Sequence, residues 1–343
     1  MMSTPSFYET SLEAVERRLK GVRLGEVHNF GHSASGKELK AIYYGANEPI
    51  ERTANLSSAL ASGKPEAFFG ERKRERQVLM IVSAVHGAEM ESIAGVMNLI
   101  SVLETGCDLK GTRWNVIDEM AKRLRIVIVP VANPDGRSRI PSDDPTRWSL
   151  DEQEKYRHGL WKDGSEITWP ACKAWHPMPK EKVSFLGGYF NERGVNPTHG
   201  VFLGGDLAPE TYALLELAVE EAPDCVLDLH SCGSGPFFIV GGKFIPENYV
   251  RRQYYVDGAF RSALAQRNLR PKPWTVEGGE QALTLNEAYF HVCHALPLLF
   301  EGAHGAQENN RYTHAEIVDT YLVMFETVIR IGVQEGFKLQ ARA

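Results

Sequence analysis

The sequence predicts an α/β fold with a mixed, largely parallel central sheet and helices on both of its faces. Short runs rich in β-branched residues alternate along the chain with longer segments of helical periodicity, which is typical of this class. The run Val78–Val85 shows no polar alternation, as expected for a central strand that is covered on both faces. With 343 residues and 43% hydrophobic content, the chain can bury a large core.

The individual elements follow from apolar runs and helical spacing. The predicted strands are Leu39–Tyr44, Val78–Val85, Arg125–Val131, Cys225–His230, Phe237–Val240 and Leu296–Phe300. The predicted helices lie near residues 10–22, 89–104, 115–124, 208–221, 246–267, 282–292 and 311–334. Because no repeat, low-complexity tract or linker divides the chain, we expect one domain over residues 1–343.

The segment at about 137–206 interrupts this alternation, since it lacks clear periodicity and is rich in proline, glycine and aromatic residues. Long irregular segments in compact domains are usually functional or disordered, and the many large aromatics here predict an ordered, packed excursion. Two interpretations remain open: a satellite hydrophobic cluster under a loop, or a wall of the substrate site. The excursion holds four of the six tryptophans, Trp148, Trp161, Trp169 and Trp175.

Charge and composition limit the kinds of partner and the cellular location that we expect for the chain. The net charge of -6, from 38 basic and 44 acidic residues, gives no electrostatic reason to expect nucleic acid or an anionic membrane. No apolar run approaches the roughly 18 residues that would span a bilayer, and the N-terminal segment does not resemble a secretory signal. The five cysteines are scattered and form no CxxC pair, which favours reduced cysteines and a cytoplasmic location.

A first pair of candidate ligands follows the predicted strand that ends near residue 85. His86 and Glu89 form an H-x-x-E pair at the entry to the next helix, where the bend, eased by Gly87, can turn both side chains toward one point. Ligand sites in open α/β sheets collect at the carboxyl ends of strands. The alternative is that Glu89 only favours a helix N-terminus.

Two further polar residues also lie at strand ends. His230 ends an apolar strand, and together with His86 and Glu89 it completes a His₂Glu set, which leaves zinc a fourth position for water. Glu301 closes another apolar strand, where an unpartnered carboxylate would be costly unless it lay at a cleft. Near an activated water it could accept a proton and pass it to the leaving amine. A structural histidine and a salt-bridged glutamate are the alternatives.

In this order, these residues resemble the zinc carboxypeptidase family, the carboxypeptidase A-like metallocarboxypeptidases, and the chain looks like a divergent member. The likeness spans roughly residues 8 to 335. The matching segments are Gly31–Leu39, which resembles G-x-S-x-x-G-[RK]; His86–Glu89, the H-x-x-E motif; Asn133–Gly136, the N-P-D-G turn; Pro209–Thr211, the start of the helix before the third ligand; and Glu301.

The resemblance implies the family's fold and a role for each matched residue. His86, Glu89 and His230 would bind one zinc ion, with the ligand set of carboxypeptidase A. Glu301 would act as general base and then as general acid.

In the family, an arginine beyond N-P-D-G polarises the scissile carbonyl and stabilises the oxyanion. Arg147, eleven residues after Gly136, fits this role by spacing. Arg137, Arg139 and Arg157 are the competing candidates.

The chain departs from the family at the residues that grip a terminal carboxylate. Family members usually carry G-V-[DN]-x-N-R, and the nearest match here is Gly194–His199. Asn196 could accept a hydrogen bond from a metal-bound imidazole. Thr198 and His199, however, replace the Asn-Arg pair, and neither offers arginine's planar fork. Trp274 stands where the family often has a tyrosine, either as an apolar lid or as a packing residue.

Three functions are compatible with these residues. The first is a metallocarboxypeptidase-type hydrolase of a peptide or peptide-like amide. The second is an N-acyl amino acid deacylase of the succinylglutamate desuccinylase or aspartoacylase type, which the missing Asn-Arg pair favours and the N-P-D-G turn opposes. The third is a non-catalytic binding protein on the same fold. The complete ligand set and Glu301 argue against this last possibility.

Overall fold

The computed structural model describes residues 4–71, 73–173, 178–199, 201, 207–270, 283–304 and 312–338. The strands within these residues are β1 (Glu26–His32), β2 (Glu38–Tyr44), β3 (Val78–Ser83), β4 (Arg125–Val129), β5 (Gly159–Trp161), β6 (Val183–Leu186), β7 (Cys225–Cys232), β8 (Phe237–Ile239) and β9 (Leu296–Ala303). The α-helices are α1 (Leu12–Lys20), α2 (Leu56–Ala61), α3 (Glu66–Phe69), α4 (Met90–Thr105), α5 (Asn115–Ala121), α6 (Pro134–Arg139), α7 (Leu150–His158), α8 (Pro209–Glu221), α9 (Glu247–Gln266), α10 (Leu285–Cys293) and α11 (His314–Gln334).

Seven strands form the central sheet, in the order β1-β2-β4-β3-β7-β9-β8. The four inner strands, β4, β3, β7 and β9, run parallel to one another, whereas the outer pairs are antiparallel. The predicted mixed, largely parallel sheet is therefore confirmed. Because the inner strands are parallel, their carboxyl ends meet at one edge of the sheet.

Helices cover both faces of the sheet, and the side chains of β3 show why this is required. Leu79 and Ile81 belong to one hydrophobic cluster, which packs against α1, α4, α9 and α11. Met80 and Val82 point the other way, into a second cluster with α2, α8 and α10. All four side chains are completely buried, so the strand tolerates apolar residues at every position.

The predicted strands and most of the long helices appear within a few residues of their expected bounds. Sequence patterns missed β1 because it is an edge strand whose residues are mostly polar and at most partly buried. They missed α7 because the nine residues of this helix carry almost no apolar periodicity. The N-terminus of α7 nevertheless has a sequence signature, because Ser149 and Glu152 form a capping box.

The 137–206 segment is more regular than its sequence suggested. Besides α7 it contains the two-stranded sheet β5-β6, and a small hydrophobic cluster is built from Ile167, Cys172, Met178 and Phe190. Trp148 packs into the main core instead. Trp175 lies outside the described residues.

The prediction that the cysteines are unpaired is confirmed for all five. In the ranges that the structure covers, no helix combines the length and the apolarity that crossing a bilayer requires.

Helices α4 and α11 approach closely at Gly95. A Cβ atom at this position would lie 2.5 Å from Cγ of Tyr321, so the contact requires glycine. The Tyr321 hydroxyl in turn donates a 2.9 Å hydrogen bond to the backbone carbonyl of His230. Tyr321 thereby connects two helices to the end of β7.

A Gly95→Ala substitution tests this packing. We expect it to lower the free energy of unfolding by about 1 to 3 kcal/mol, because the methyl group would overlap the Tyr321 ring. Gly258→Ala is the matched control, since Gly258 lies exposed in α9 with open space around it; that change should raise stability by about 0.5 to 1 kcal/mol. Urea unfolding measures both, and equal stability of the two variants would contradict the packing argument.

Candidate metal centre

Three potential ligands converge at the carboxyl edge of the sheet. Glu89 Oε1 lies 3.0 Å from His86 Nδ1, and its Oε2 lies 3.0 Å from His230 Nδ1. The two Nδ1 atoms are 3.2 Å apart. All three residues are buried, and one donor atom from each falls within 4.8 Å of the others. The structure thus brings together the three residues that the sequence singled out.

The turn between β3 and α4 positions His86 and Glu89. Its Gly87 packs directly on the backbone of the N-P-D-G segment: a Cβ atom there would lie 2.1 Å from Arg137 N. The Gly87 N–H also donates to the Gly188 carbonyl at 2.8 Å. Glycine is therefore required between the two ligands, and N-P-D-G acts as the surface against which their turn is fixed.

A hydrogen bond fixes the tautomer of His86. Its Nε2 lies 3.1 Å from Asn196 Oδ1, and the Asn196 amide nitrogen donates to the Cys172 carbonyl at 2.9 Å, which orients the amide. Because Oδ1 can only accept, Nε2 carries the proton and Nδ1 keeps a lone pair. Thr198 Oγ1 also lies 3.2 Å from the same Nε2. Asn196 thus occupies the supporting position that the sequence suggested.

Asp228 plays the corresponding part for His230, and sequence reasoning missed it. Asp228 Oδ2 lies 3.4 Å from His230 Nε2, within ion-pair distance. Among the described residues its oxygens accept no hydrogen bond, so the imidazole is the group that offsets this buried charge. The sequence did carry a sign of this contact. Asp228 and His230 form a D-x-H pattern, and residues two apart on a strand point to the same face.

The electrostatics are those of a cation site. Burial would raise the pKa of Glu89, but the two imidazoles hold it well below its ordinary value. Burial lowers the pKa of His86. Two imidazole lone pairs and a carboxylate that face one point match the donor set that Zn²⁺ accepts. The residues present therefore fit a zinc ion.

Glu301 lies beside this centre. It is on β9, directly opposite His230 in the parallel register with β7. Burial raises the pKa of its carboxyl group to about 7, and the negative charge of Glu89 adds to the effect. A carboxylate that takes up a proton near neutral pH is suited to general acid–base chemistry.

The structure places Arg147 and Arg157 in different environments. Arg147 pairs with Asp144 at 2.8 Å and leaves 41% of its side chain exposed. Only 7% of the Arg157 side chain is exposed, and its charge lowers the pKa of Glu301. Arg137 and Arg139 are engaged by backbone carbonyl oxygens and by other carboxylates.

A network of buried side chains contacts the guanidinium of Arg157. Its guanidinium contacts His304 Nδ1 and lies 3.9 Å from Glu91 Oε1. Glu91 also contacts His304 Nδ1 at 3.0 Å and accepts a 2.8 Å hydrogen bond from Ser231 Oγ. Sequence reasoning missed Glu91 and His304, although they follow Glu89 and Glu301 by two and three residues.

Tyr189 and His199 complete the described surroundings. The Tyr189 ring stacks on that of His86, with 3.8 Å between centroids and 7° between planes. Burial lowers the pKa of His199 to about 3. Within the described part of the chain, its Nε2 has no hydrogen-bond partner. Trp274 lies outside the described residues.

Comparison with known proteins agrees with this geometry. A sequence model of the zinc carboxypeptidase family matches residues 15–266. No curated protein matches the chain.

Solved metallocarboxypeptidases share the fold at low sequence identity. A metallo-carboxypeptidase from Burkholderia cenocepacia is 16% identical, with a TM-score of 0.58 over 93% of this chain and 69% of that one. Carboxypeptidase A from Helicoverpa armigera is 16% identical, with a TM-score of 0.54 over 94% and 73%. A metallo-carboxypeptidase from Pseudomonas aeruginosa, in complex with (2-guanidinoethylmercapto)succinic acid, is 13% identical, with a TM-score of 0.56 over 94% and 68%.

The buried network makes a prediction for stability. Glu91→Gln keeps the side-chain volume but removes the carboxylate that faces Arg157 and His304. We expect a loss of about 3 to 5 kcal/mol in the free energy of unfolding, because a buried cation loses its counter-charge. The control Glu119→Gln, at an exposed glutamate of α5, should change stability by less than about 0.5 kcal/mol. Chemical denaturation of metal-free protein measures both, and similar values would refute the network's role.

Proposed function

Because the chain belongs to the zinc carboxypeptidase family, we propose that it hydrolyses a peptide or peptide-like amide bond with one zinc ion held by His86, Glu89 and His230. The observation that carries this proposal is the convergence of two imidazole Nδ1 atoms and a carboxylate beside Glu301. When bound, zinc supplies a Lewis acid that polarises the amide carbonyl and activates a water molecule.

The protein's part begins with holding the ligands in the right protonation state. Asn196 accepts the Nε2 proton of His86, and Asp228 faces that of His230. With zinc bound, each imidazole would present an unprotonated Nδ1 to the metal. Such supporting contacts orient the ring and raise its basicity as a ligand.

Glu301 moves the proton. As the water oxygen attacks the carbonyl carbon, the Glu301 carboxylate accepts a proton from the water. It then delivers that proton to the nitrogen as the C–N bond breaks, which releases a carboxylic acid and an amine; the acid then gives its own proton to the amine, leaving a carboxylate and an ammonium group. Its desolvated position suits this exchange, because a pKa of about 7 allows both directions of transfer near neutral pH.

We assign stabilisation of the oxyanion to Arg157, in the role for which spacing alone favoured Arg147. Arg157 is buried, its charge helps to lower the pKa of Glu301, and the Glu91–His304 pair restrains its guanidinium. A fixed donor in a water-poor site stabilises developing negative charge more than a solvated one does.

Metal content and turnover test the core of the proposal together. We expect purified protein to hold close to one zinc per chain and His230→Ala to lose it, because one of the three ligands is gone. Glu301→Gln should keep the zinc yet lower kcat by about a hundred- to ten-thousand-fold, since the proton carrier is removed. Elemental analysis and a hydrolysis assay measure the two effects.

A chelator should abolish the activity, and added zinc should restore it. Full turnover by zinc-loaded Glu301→Gln would show that the mechanism is wrong, and absence of zinc under all conditions would favour a binding protein. Screening dipeptides, peptidoglycan-derived peptides and N-acyl amino acids separates the peptidase from the deacylase alternative.

The choice of arginine has its own test. Arg157→Gln should reduce kcat by about a hundred- to a thousand-fold with little change in zinc content, because an oxyanion donor is lost. The matched variant Arg147→Gln, at the partly exposed arginine beside Asp144, should stay within a few-fold of the parent. The reverse ranking in kcat would assign the role to Arg147. Circular dichroism confirms that both variants are folded.

A further inference from the structure

The residues at the position of the family's carboxylate clamp carry no positive charge at neutral pH. Thr198 is buried, and its hydroxyl lies 3.2 Å from His86 Nε2, so it already has a partner. The pKa of His199, lowered to about 3 by burial, makes this histidine neutral. If a substrate carries a carboxylate, its counter-charge must come from another part of the chain.

Lys173 is placed to supply that charge. It ends the short 3-10 turn Ala171–Lys173, next to the small hydrophobic cluster of the 137–206 segment. Its Nζ lies 5.7 Å from the centroid of the Tyr189 ring, which itself stacks on His86. Trp169 gives a second aromatic contact at 5.5 Å. The ammonium is thus held beside the metal centre by aromatic rings.

The charge of Lys173 also helps to lower the pKa of His199, on the Pro197–His199 turn that stands at the position of the clamp.

Lys173 also differs from Arg157 in having no acidic partner. Among the residues that the structure describes, no carboxylate oxygen lies within 4.0 Å of its Nζ, whereas Arg157 lies next to Glu91 and His304. A cation that is held over aromatic rings, with no carboxylate partner among the described residues, can bind an anion without first breaking an ion pair. Lysine suits this task as a compact point charge that needs no bidentate geometry.

We propose that Lys173 binds a carboxylate of the substrate, in place of the missing Asn-Arg pair. The proposal rests on the proposed function and defines its substrate class: amides whose leaving or acyl part carries a carboxylate. That carboxylate would lie on the Tyr189 side of the metal centre.

Binding of a matched pair of ligands tests the proposal. The probes are N-acetyl-L-phenylalanine and its carboxamide, titrated calorimetrically into zinc-loaded protein. We expect the parent protein to bind the carboxylate at least about ten-fold more tightly than the amide, and Lys173→Gln to remove the difference. Lys173→Arg should retain most of it, because the charge remains.

Lys155→Gln is the matched control, since the Lys155 ammonium also lies over two rings, at 5.5 Å from Tyr156 and 5.7 Å from Phe185. It should bind both probes as the parent does. In turnover assays, Lys173→Gln should raise KM for carboxylate-bearing substrates about ten-fold or more and leave kcat within a few-fold.

Equal affinity of the parent for the two probes, or an unchanged preference in Lys173→Gln, would overturn the proposal. These outcomes are distinct from failure of the proposed function. That failure would appear as missing zinc or as full activity of Glu301→Gln, whereas the preference for a carboxylate is read from binding alone.

Discussion

The arrangement of Glu89 between the Nδ1 atoms of His86 and His230 is the constraint on which the rest of the site depends. A buried carboxylate is costly unless positive charge or hydrogen bonds compensate it, and each Glu89 oxygen lies only 3.0 Å from an imidazole nitrogen. The same closeness forces the two Nδ1 atoms to face each other at 3.2 Å. Imidazole lone pairs and a carboxylate that converge so closely repel one another unless a cation lies among them, so this geometry fits a bound metal ion.

The sequence was sufficient for the positions of the ligands but not for their support. His86, Glu89, His230 and Glu301 could be predicted because each lies at or shortly after the end of an apolar strand, and parallel strands bring such ends together. Glu91 and His304 could not be paired from sequence, since 213 residues separate them and only the packing of α4 against β9 joins them. Trp274 lies outside the described residues, so its part in the site stays a prediction.

Spacing along the chain favours Arg147 for the oxyanion, whereas we propose Arg157 for that role. Arg147 lies eleven residues beyond N-P-D-G, but the chain first forms a turn around Asp144 and then enters α7. That helix carries Arg157 inward, toward His304. Because α7 is a polar helix of nine residues with almost no apolar periodicity, the sequence did not indicate that Arg157, ten residues after Arg147, would be the more buried of the two.

The contact of Gly87 with the backbone of Arg137 has a consequence for how such chains diverge. Two different demands meet in four consecutive residues: the proposed metal chemistry selects His86 and Glu89, whereas steric exclusion alone selects Gly87. In a descendant that lost the proposed activity, selection on the two candidate ligands would relax at once, while the glycine would persist as long as the fold did. A retained glycine between altered flanking residues would therefore mark a lineage that lost its metal but kept its architecture.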